Sequence, residues 1–207
     1  MRPGKNKLSH NHTKILIIRL SALGDIVNLT AIFSVLRDHY PEAQIDFVIK
    51  KQFQSIIDPN NYNINVIAYD AATGLTGWRK ICRQLQGVKY DYFLDMHNNI
   101  RSKILKFYLK NVRTATFKKP RIRRFLLFYM LVNTFPKSFN LVSEYLKVLK
   151  ILKINATYGK TEILLQQSVQ DFAGELLRKK GIGKDFVVIL PIAAWKNKRY
   201  EIGRAHV

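Results

Sequence analysis

One carboxylate of this chain lies where either a catalytic base or a helix cap is expected. Asp25 follows Gly24 in the loop between an unbroken apolar run, Ile15 to Ile18, and a helical apolar pattern. Such runs are typical of strands buried on both faces of a parallel sheet. In these sheets the chemistry takes place at the carboxyl ends of the strands, and a glycine lets the backbone turn tightly or approach a ligand.

The position of Asp25 leaves its role open between cap, ligand contact and base. An aspartate in the first helical turn satisfies free amide donors and suits the helix dipole, so spacing alone favours the cap. The same helix end lowers the pKa of a carboxylate and weakens it as a base. Burial or a substrate phosphate would have to raise that pKa again.

A second polar group ends the fourth predicted strand, Tyr90 to Asp95. If the strands are parallel, the end of this strand lies on the same edge of the sheet as Asp25. The edge then contains a carboxylate, an imidazole and two amides, which belong to Asp95, His97, Asn98 and Asn99. A lone histidine is more often structural than catalytic, and paired asparagines also serve as turn residues. The sequence contains no HxH or CxxC spacing, and we therefore predict no metal site.

Positive charge dominates the composition and is unevenly distributed. The net charge is +21, and no acidic residue occurs between Asp95 and Glu144. That interval contains eleven basic residues: Arg101, Lys103, Lys106, Lys110, Arg113, Lys118, Lys119, Arg121, Arg123, Arg124 and Lys137. The block is either a solvated surface or a site for a polyanion, such as nucleic acid, anionic lipid headgroups or a phosphorylated substrate.

The apolar run Phe125 to Val132 directly follows the basic sequence KKPRIRR. Two interpretations stay open for it, an interfacial membrane anchor and an ordinary core helix. No aromatic-basic module of the RNA-binding type occurs, so a nucleic-acid partner is the weaker hypothesis.

The elements that must position these residues alternate between strand and helix. Predicted strands cover Ile15–Ile18, Gln44–Ile49, Asn65–Tyr69, Tyr90–Asp95 and Val112–Phe117. Predicted helices follow Asp25 and cover Lys51–Ile57, Trp78–Leu85, Ile100–Leu109, Leu141–Leu152 and Gln167–Lys180, with Ala71–Gly77 as a loop. The order predicts a doubly wound parallel α/β domain. A further apolar run, Phe186–Leu190, predicts that a second such domain begins there.

Length and composition set the remaining expectations. The single cysteine, Cys82, fits a reducing compartment. The apolar stretch after the basic N-terminus is interrupted by Arg19 and Asp25, so it is neither a signal peptide nor a membrane span, and we expect a cytoplasmic protein. The predicted divisions are a flexible 1–13, a Rossmann-like domain 14–160, a linker with the start of a second domain 161–200, and 201–207. This last segment, EIGRAHV, continues no pattern and reads like a translated sequencing adapter, so we interpret it as a non-native tail.

Three segments together resemble glycosyltransferase family 9, the bacterial heptosyltransferases of lipopolysaccharide core assembly. They are the strand with its Ser21–Asp25 loop, YDYFLDMHNNIRS, and VVILPIAAWKNKRY, which resembles the family's motif at the start of the donor domain. The chain departs from the family at Thr30, near which a proline is usual, and at Asn140, near which a histidine is usual. These departures leave the acceptor open more than the fold.

The resemblance implies a GT-B architecture, with two Rossmann-like domains facing across a cleft, the second only begun here. It implies metal-independent, inverting transfer from a nucleotide sugar, typically ADP-heptose, to a phosphorylated lipid A acceptor that carries acidic sugars. Asp25 would be the general base, and Lys198 would stabilise the departing diphosphate with Trp195 and Lys196 on the same motif. The expected acceptor contacts are Ser21, Gly24, Asp95, His97, Asn98, Asn99, Arg101, Arg121, Arg123 and Arg124.

The resemblance also sets the expected partners and the alternatives. Without most of its donor domain the chain as printed would be inactive, and a peripheral contact with the inner membrane is left open. The alternative function is a non-catalytic Rossmann-like domain that binds a polyanion through its basic face. A nucleic-acid binder is the third hypothesis.

Overall fold

Five parallel strands form the sheet of this protein within the part that its computed structural model describes, residues 13–163, 165, 167–183 and 185–188. The strands are β1 Lys14–Ile18, β2 Gln44–Lys50, β3 Asn65–Tyr69, β4 Tyr92–Asp95 and β5 Arg113–Thr116. Their spatial order is β3-β2-β1-β4-β5, and all four pairings are parallel. The predicted doubly wound α/β class is confirmed.

Strand β1 is central because its side chains are apolar on both faces. Ile15 and Ile17 pack into the cluster on one side of the sheet, and Leu16 and Ile18 pack into the cluster on the other. All four are fully buried. The chain winds outward in one direction through β2 and β3 and in the other through β4 and β5. The strand order therefore reverses between β1 and β4, which is where ligands bind in open α/β sheets.

The helices cover both faces of this sheet. They are α1 Leu23–His39, α2 Pro59–Tyr62, α3 Gly74–Gln86, α4 Ile100–Tyr108, α5 Arg121–Tyr129 and α6 Leu141–Leu146, with 3₁₀ segments at Lys51–Ile56, Ala71–Thr73 and Lys147–Leu152. Residues of α1 and α6 pack with Ile15 and Ile17, whereas residues of α3 and α4 pack with Leu16 and Ile18. None of the helices among the described residues is long and apolar enough to cross a bilayer.

Most predicted elements are present, with two corrections inside the sheet domain. The predicted loop Ala71–Gly77 is wrong, because residues 71–73 form a 3₁₀ turn and α3 already begins at Gly74. The core-helix interpretation of the run Phe125–Val132 is also wrong. No residue of α5 is buried, and even Leu126 and Leu127, which turn toward the protein, are only partly buried.

The chain divides into two compact units, 1–164 and 165–207. In the second unit, α7 covers Gln167–Lys179. Gly181 follows it with a φ of +66°, in agreement with the predicted helix and its glycine stop. Of the predicted buried strand Phe186–Leu190, residues 186–188 are exposed and in no strand, since no described residue pairs with them. Residues 1–12, 189–207 and the predicted donor contacts Trp195, Lys196 and Lys198 lie outside the described residues.

Candidate active site

An ion pair occupies the carboxyl end of the central strand. Arg19 follows β1 directly and is only 3% exposed, and its guanidinium contacts the Asp25 carboxylate at Oδ2. The same guanidinium donates to the carbonyl of Met96, which follows β4, and through Nε to the carbonyl of Ser21 at 2.7 Å. Arg19 thus ties the loop after β1 to the loop after β4 across the reversal point of the sheet.

Asp25 is held in its first-turn position from three sides. Its Oδ1 accepts a hydrogen bond of 3.0 Å from Tyr145 Oη, and its Oδ2 accepts one of 3.4 Å from the backbone N–H of Ala22. The bond from Ala22, the N-cap residue, supports the cap interpretation. The side chain is still 34% exposed. A carboxylate oxygen has two lone pairs, so this carboxylate can accept a further proton donor from solvent or a ligand.

The charge state of Asp25 follows from two opposed effects. Partial burial is the largest single effect and favours the neutral acid. The charge of Arg19 and the hydrogen bonds from Tyr145, Arg19 and Ala22 all favour the carboxylate, and their sum exceeds the effect of burial. Together they hold the pKa of Asp25 below its usual value. The carboxylate is therefore ionised near neutral pH.

Tyr145 reaches Asp25 from α6. Asn140 caps that helix by accepting from the Val142 N–H at 2.8 Å, so the residue that replaces the expected histidine sets the start of the helix. The Tyr145 ring is fully buried, packs edge-to-face on Phe117 at 4.7 Å and lies 5.7 Å from the Arg19 guanidinium. Burial raises the pKa of Tyr145, as does nearby Asp25, against the opposing effect of Arg19. The phenol is thus a neutral donor.

Asp95 is engaged within its own loop. Its Oδ1 accepts from the backbone N–H groups of His97 and Asn98 at 3.0 and 2.7 Å, and its Oδ2 accepts from Ser102 Oγ at 2.7 Å. Asn99 caps α4 through a reciprocal pair of 3.0 Å hydrogen bonds with Ser102. Asn98 adopts a positive φ of 51° and donates to the Phe117 carbonyl. These three side chains shape the loop, and their acceptor contacts stay a prediction.

Two buried polar atoms near this loop have no hydrogen-bond partner among the described residues. They are His97 Nδ1 and Arg101 Nε. Burial, reinforced by Arg19, Lys119 and Lys50, lowers the pKa of His97 to about 4, so its imidazole is neutral at pH 7. The Arg101 guanidinium lies over the Tyr69 ring at 5.7 Å. Because buried polar groups are nearly always satisfied, these two atoms favour a polar ligand at this edge.

The remaining predicted contacts differ in exposure. Arg121, Arg123 and Arg124 are exposed on α5. Lys119, just before them, is half-buried, and burial together with the Arg19, Arg121 and Arg124 charges lowers its pKa against the effect of Asp25. The basic segment therefore begins within electrostatic reach of the Asp25 carboxylate.

Gly24 requires a correction. Its φ is not among the positive ones, and a methyl group at its α-carbon would meet no atom within 4 Å. A tight turn therefore does not explain this glycine. Close approach of a ligand is the explanation that remains from the sequence.

Sequence reasoning missed two members of this site. In the sequence, Arg19 is visible only as a charge that interrupts the first apolar stretch, and Tyr145 only as one position of the predicted helix Leu141–Leu152. A buried cation next to a strand end is the signal that would have found Arg19, because a buried charge requires a partner. Within the described ranges no group of three or more His, Cys, Asp or Glu side chains is placed to hold a metal ion.

This chain is similar in sequence to known glycosyltransferases. The family model "Glycosyltransferase family 9 (heptosyltransferase)" matches residues 78–204. The lipopolysaccharide core heptosyltransferase OpsX of Haemophilus influenzae is 29% identical over 107 residues, which are 52% of this chain and 30% of that protein.

Two solved structures share the fold. A glycosyl transferase family 9 protein from Veillonella parvula superposes with a TM-score of 0.73 at 21% identity, over 94% of this chain and 58% of its own. The ADP-heptose LPS heptosyltransferase II of E. coli gives 0.58 at 15% identity, over 83% and 52%. The predicted GT-B fold type is confirmed by this likeness. The chain spans less than two thirds of the length of each of these relatives.

Proposed function

The chain belongs to glycosyltransferase family 9, the heptosyltransferase family, and we propose that its sheet domain binds the acceptor in heptose transfer to a lipopolysaccharide core. The observation that carries the proposal is Asp25, an ionised, one-third-exposed carboxylate at the reversal point of a parallel sheet. The family's reaction requires an acceptor hydroxyl to lose a proton, and Asp25 can accept it.

The reaction is a single displacement with inversion. The acceptor oxygen forms a bond to the anomeric carbon of the heptose, and the bond from that carbon to the diphosphate oxygen breaks. The leaving diphosphate takes the bonding electrons, and the hydroxyl proton passes to Asp25. General-base assistance of this type contributes roughly 10² to 10⁴ in rate.

The lowered pKa of Asp25 determines when the proton moves. A carboxylate held ionised by Arg19 is too weak a base to ionise a sugar hydroxyl in the ground state. The hydroxyl becomes far more acidic once its oxygen has begun to bond to the anomeric carbon, so proton transfer accompanies or follows bond formation. Tyr145 and Arg19 hold the carboxylate in the position from which it accepts the proton, and such preorganisation lowers the activation barrier.

The acceptor is an anionic glycolipid in this proposal. His97 and Arg101 carry the unpartnered atoms beside the Asp25 rim, and Lys119 lies half-buried near them. Acidic sugars or phosphates would satisfy these groups and balance the eleven basic residues. Ser21, Gly24, Arg121, Arg123 and Arg124 would contact the same acceptor.

The donor is ADP-heptose in this proposal, by analogy with the E. coli relative whose name includes that donor. Lys198, with Trp195 and Lys196, would stabilise the diphosphate that leaves, because a cation lowers the energy of the developing charge. No metal ion takes part in the proposed reaction.

The test is a transfer assay on the full-length gene product, with ADP-heptose and lipid A that carries acidic sugars. We expect a glycolipid heavier by one heptose, inverted at the anomeric carbon by NMR, and equal rates with and without EDTA. Acceptor binding with no transfer under any of these conditions would instead favour a non-catalytic binding domain.

A further inference from the structure

An exposed apolar surface borders the basic segment on α5 and the residues that follow it. Seven apolar side chains there have half or more of their surface exposed: Ile122, Phe125, Phe128, Tyr129, Met130, Leu131 and Val132. They fall within eleven consecutive residues. A contiguous exposed patch of this kind marks a surface that binds something apolar.

The helix presents Ile122, Phe125 and Tyr129 on one face. Phe125 lies three residues after Ile122 and four before Tyr129, and the Phe125 and Tyr129 rings are 5.0 Å apart. Phe128 borders the same face. Leu126 and Leu127 point the other way and are half-buried, so they attach the helix to the protein and leave the aromatic face outward.

Basic side chains flank this apolar face. Arg121 lies one helical turn before Phe125, and Arg124 lies one turn before Phe128, so both guanidinium groups are neighbours of exposed rings. No acidic residue lies between Asp95 and Glu144 to neutralise them. Aromatic and aliphatic side chains on one face with arginines at its edge form the pattern of a helix that lies in a membrane interface.

We infer that α5 and residues 130–132 dock this protein onto an anionic phospholipid bilayer, with the α5 aromatic face among the acyl chains and its arginines at the headgroups. Charge complementarity selects this occupant. A second copy would bring the same unneutralised basic block against the first, whereas anionic lipid supplies the opposite charge. Nucleic acid would match the arginines but would leave Met130, Leu131 and Val132 in contact with water.

Docking through α5 would bring the reaction site to the membrane. Lys119 precedes α5 and interacts with Asp25, Arg121 and Arg124, so the helix begins at the rim of the site. The proposed function explains why this closeness would matter, because a lipid-anchored acceptor would then have a short path to Asp25. Only this part of the inference rests on the proposed function. Vesicle binding itself needs neither donor nor acceptor.

The first test is co-sedimentation of the full-length gene product with vesicles of phosphatidylethanolamine and phosphatidylglycerol, and with phosphatidylcholine alone. We expect binding to the anionic vesicles only. The pair Arg121→Gln and Arg124→Gln should weaken it about 25-fold, from about fivefold per basic residue near an anionic surface. The control pair Arg79→Gln and Arg83→Gln removes the same charge from exposed positions on α3 and should change it far less.

The second test separates insertion from surface attraction. Phe128→Trp should show blue-shifted emission and quenching by brominated anionic lipids, whereas Phe107→Trp, at an even more exposed site on α4, should show neither. The pair Phe125→Ser and Phe128→Ser should reduce binding at least tenfold, since it removes two inserting rings, with an unchanged circular dichroism spectrum.

Three results would overturn the inference. They are full binding by the serine variant, quenching of the Phe107→Trp protein but not of the Phe128→Trp protein, and loss of self-association in the serine variant without any vesicle binding. The last would show that protein covers this face. Failure of heptose transfer with normal vesicle binding would contradict the proposed function alone.

Discussion

The hydroxyl of Tyr145 donates a 3.0 Å hydrogen bond to Oδ1 of Asp25, although 120 residues separate the two in the chain. Tyr145 lies on α6 and Asp25 in the first turn of α1, and both helices pack on the same face of β1. The geometry of the candidate base therefore depends on the docking of a helix far away in sequence. This hydrogen bond also predicts how the pKa of Asp25 changes when the Tyr145 hydroxyl is removed.

Tyr145→Phe should keep the ring packing on Phe117 but remove the hydrogen bond that lowers the pKa of Asp25. The pKa of Asp25 then rises, and the ionised fraction falls at a higher pH than in the unmodified protein. We expect the acidic limb of the pH–kcat profile to move to higher pH, with a stability loss of about 1 kcal/mol. An acidic limb at an unchanged pH, together with a lower kcat, would show that the Tyr145 hydroxyl does not affect the pKa of Asp25.

Arg19→Met should destabilise the fold by about 3 kcal/mol. The substitution leaves the Asp25 carboxylate without its cation and the Met96 and Ser21 carbonyls without their donor. The estimate is at the lower end for a buried pair, because Asp25 is one-third exposed and screened by water. Urea unfolding measures the loss. The double variant Arg19→Met and Asp25→Asn should recover part of it, and a fully additive loss would contradict the pairing.

His97 should make the fold sensitive to mild acid. Its folded pKa of about 4 lies below its unfolded value of about 6.5, so the unfolded chain binds more protons between these values. The free energy of unfolding therefore has its full value above about pH 6.5 and decreases as the pH falls toward 4, by up to about 3 kcal/mol. Urea unfolding from pH 4.5 to 7 should show this slope, and His97→Gln should flatten it. His39→Gln, at the exposed end of α1, is the matched control; equal slopes in all three proteins would exclude His97 as the source.

Gly24→Ala should distinguish an effect on stability from an effect on acceptor binding. The open space around this residue predicts equal or slightly higher stability, by up to about 1 kcal/mol, since alanine favours the helix. If the acceptor lies against this backbone, the added methyl group displaces it and kcat/KM falls about 10²-fold. Thermal unfolding and the transfer assay measure the two effects. Unchanged transfer would mean that no substrate comes close to Gly24.

Local sequence patterns predicted most of the sheet domain, because each strand and helix is indicated by a few consecutive residues. The apolar run Ile15–Ile18 predicts the central strand wherever its partners lie, and the strand limits agree with the sequence to within two residues. The apolar run Phe125–Val132 was visible in the sequence, although α5 begins four residues earlier, at Arg121, and ends three residues earlier, at Tyr129. Its exposure was not, because an apolar run has the same periodicity whether or not another element covers it.

The site was less predictable, because its contacts join distant segments. Asp25 was recognisable from its place after a strand, but its partners come from β1, the loop after β4 and α6. Asp95 looked like a second free carboxylate. In the fold its two oxygens are taken by His97, Asn98 and Ser102, which no spacing rule distinguishes from an open site.

The most direct test of the account is the transfer rate of Asp25→Asn against that of Asp38→Asn in the full-length gene product. Asp38 lies on the same helix and is exposed, so its substitution controls for loss of a charge from α1. We predict that Asp25→Asn lowers kcat by roughly 10² to 10⁴ at nearly unchanged acceptor KM, while Asp38→Asn transfers normally. Equal kcat values for the two variants, both correctly folded, would contradict the assignment of Asp25 as the base.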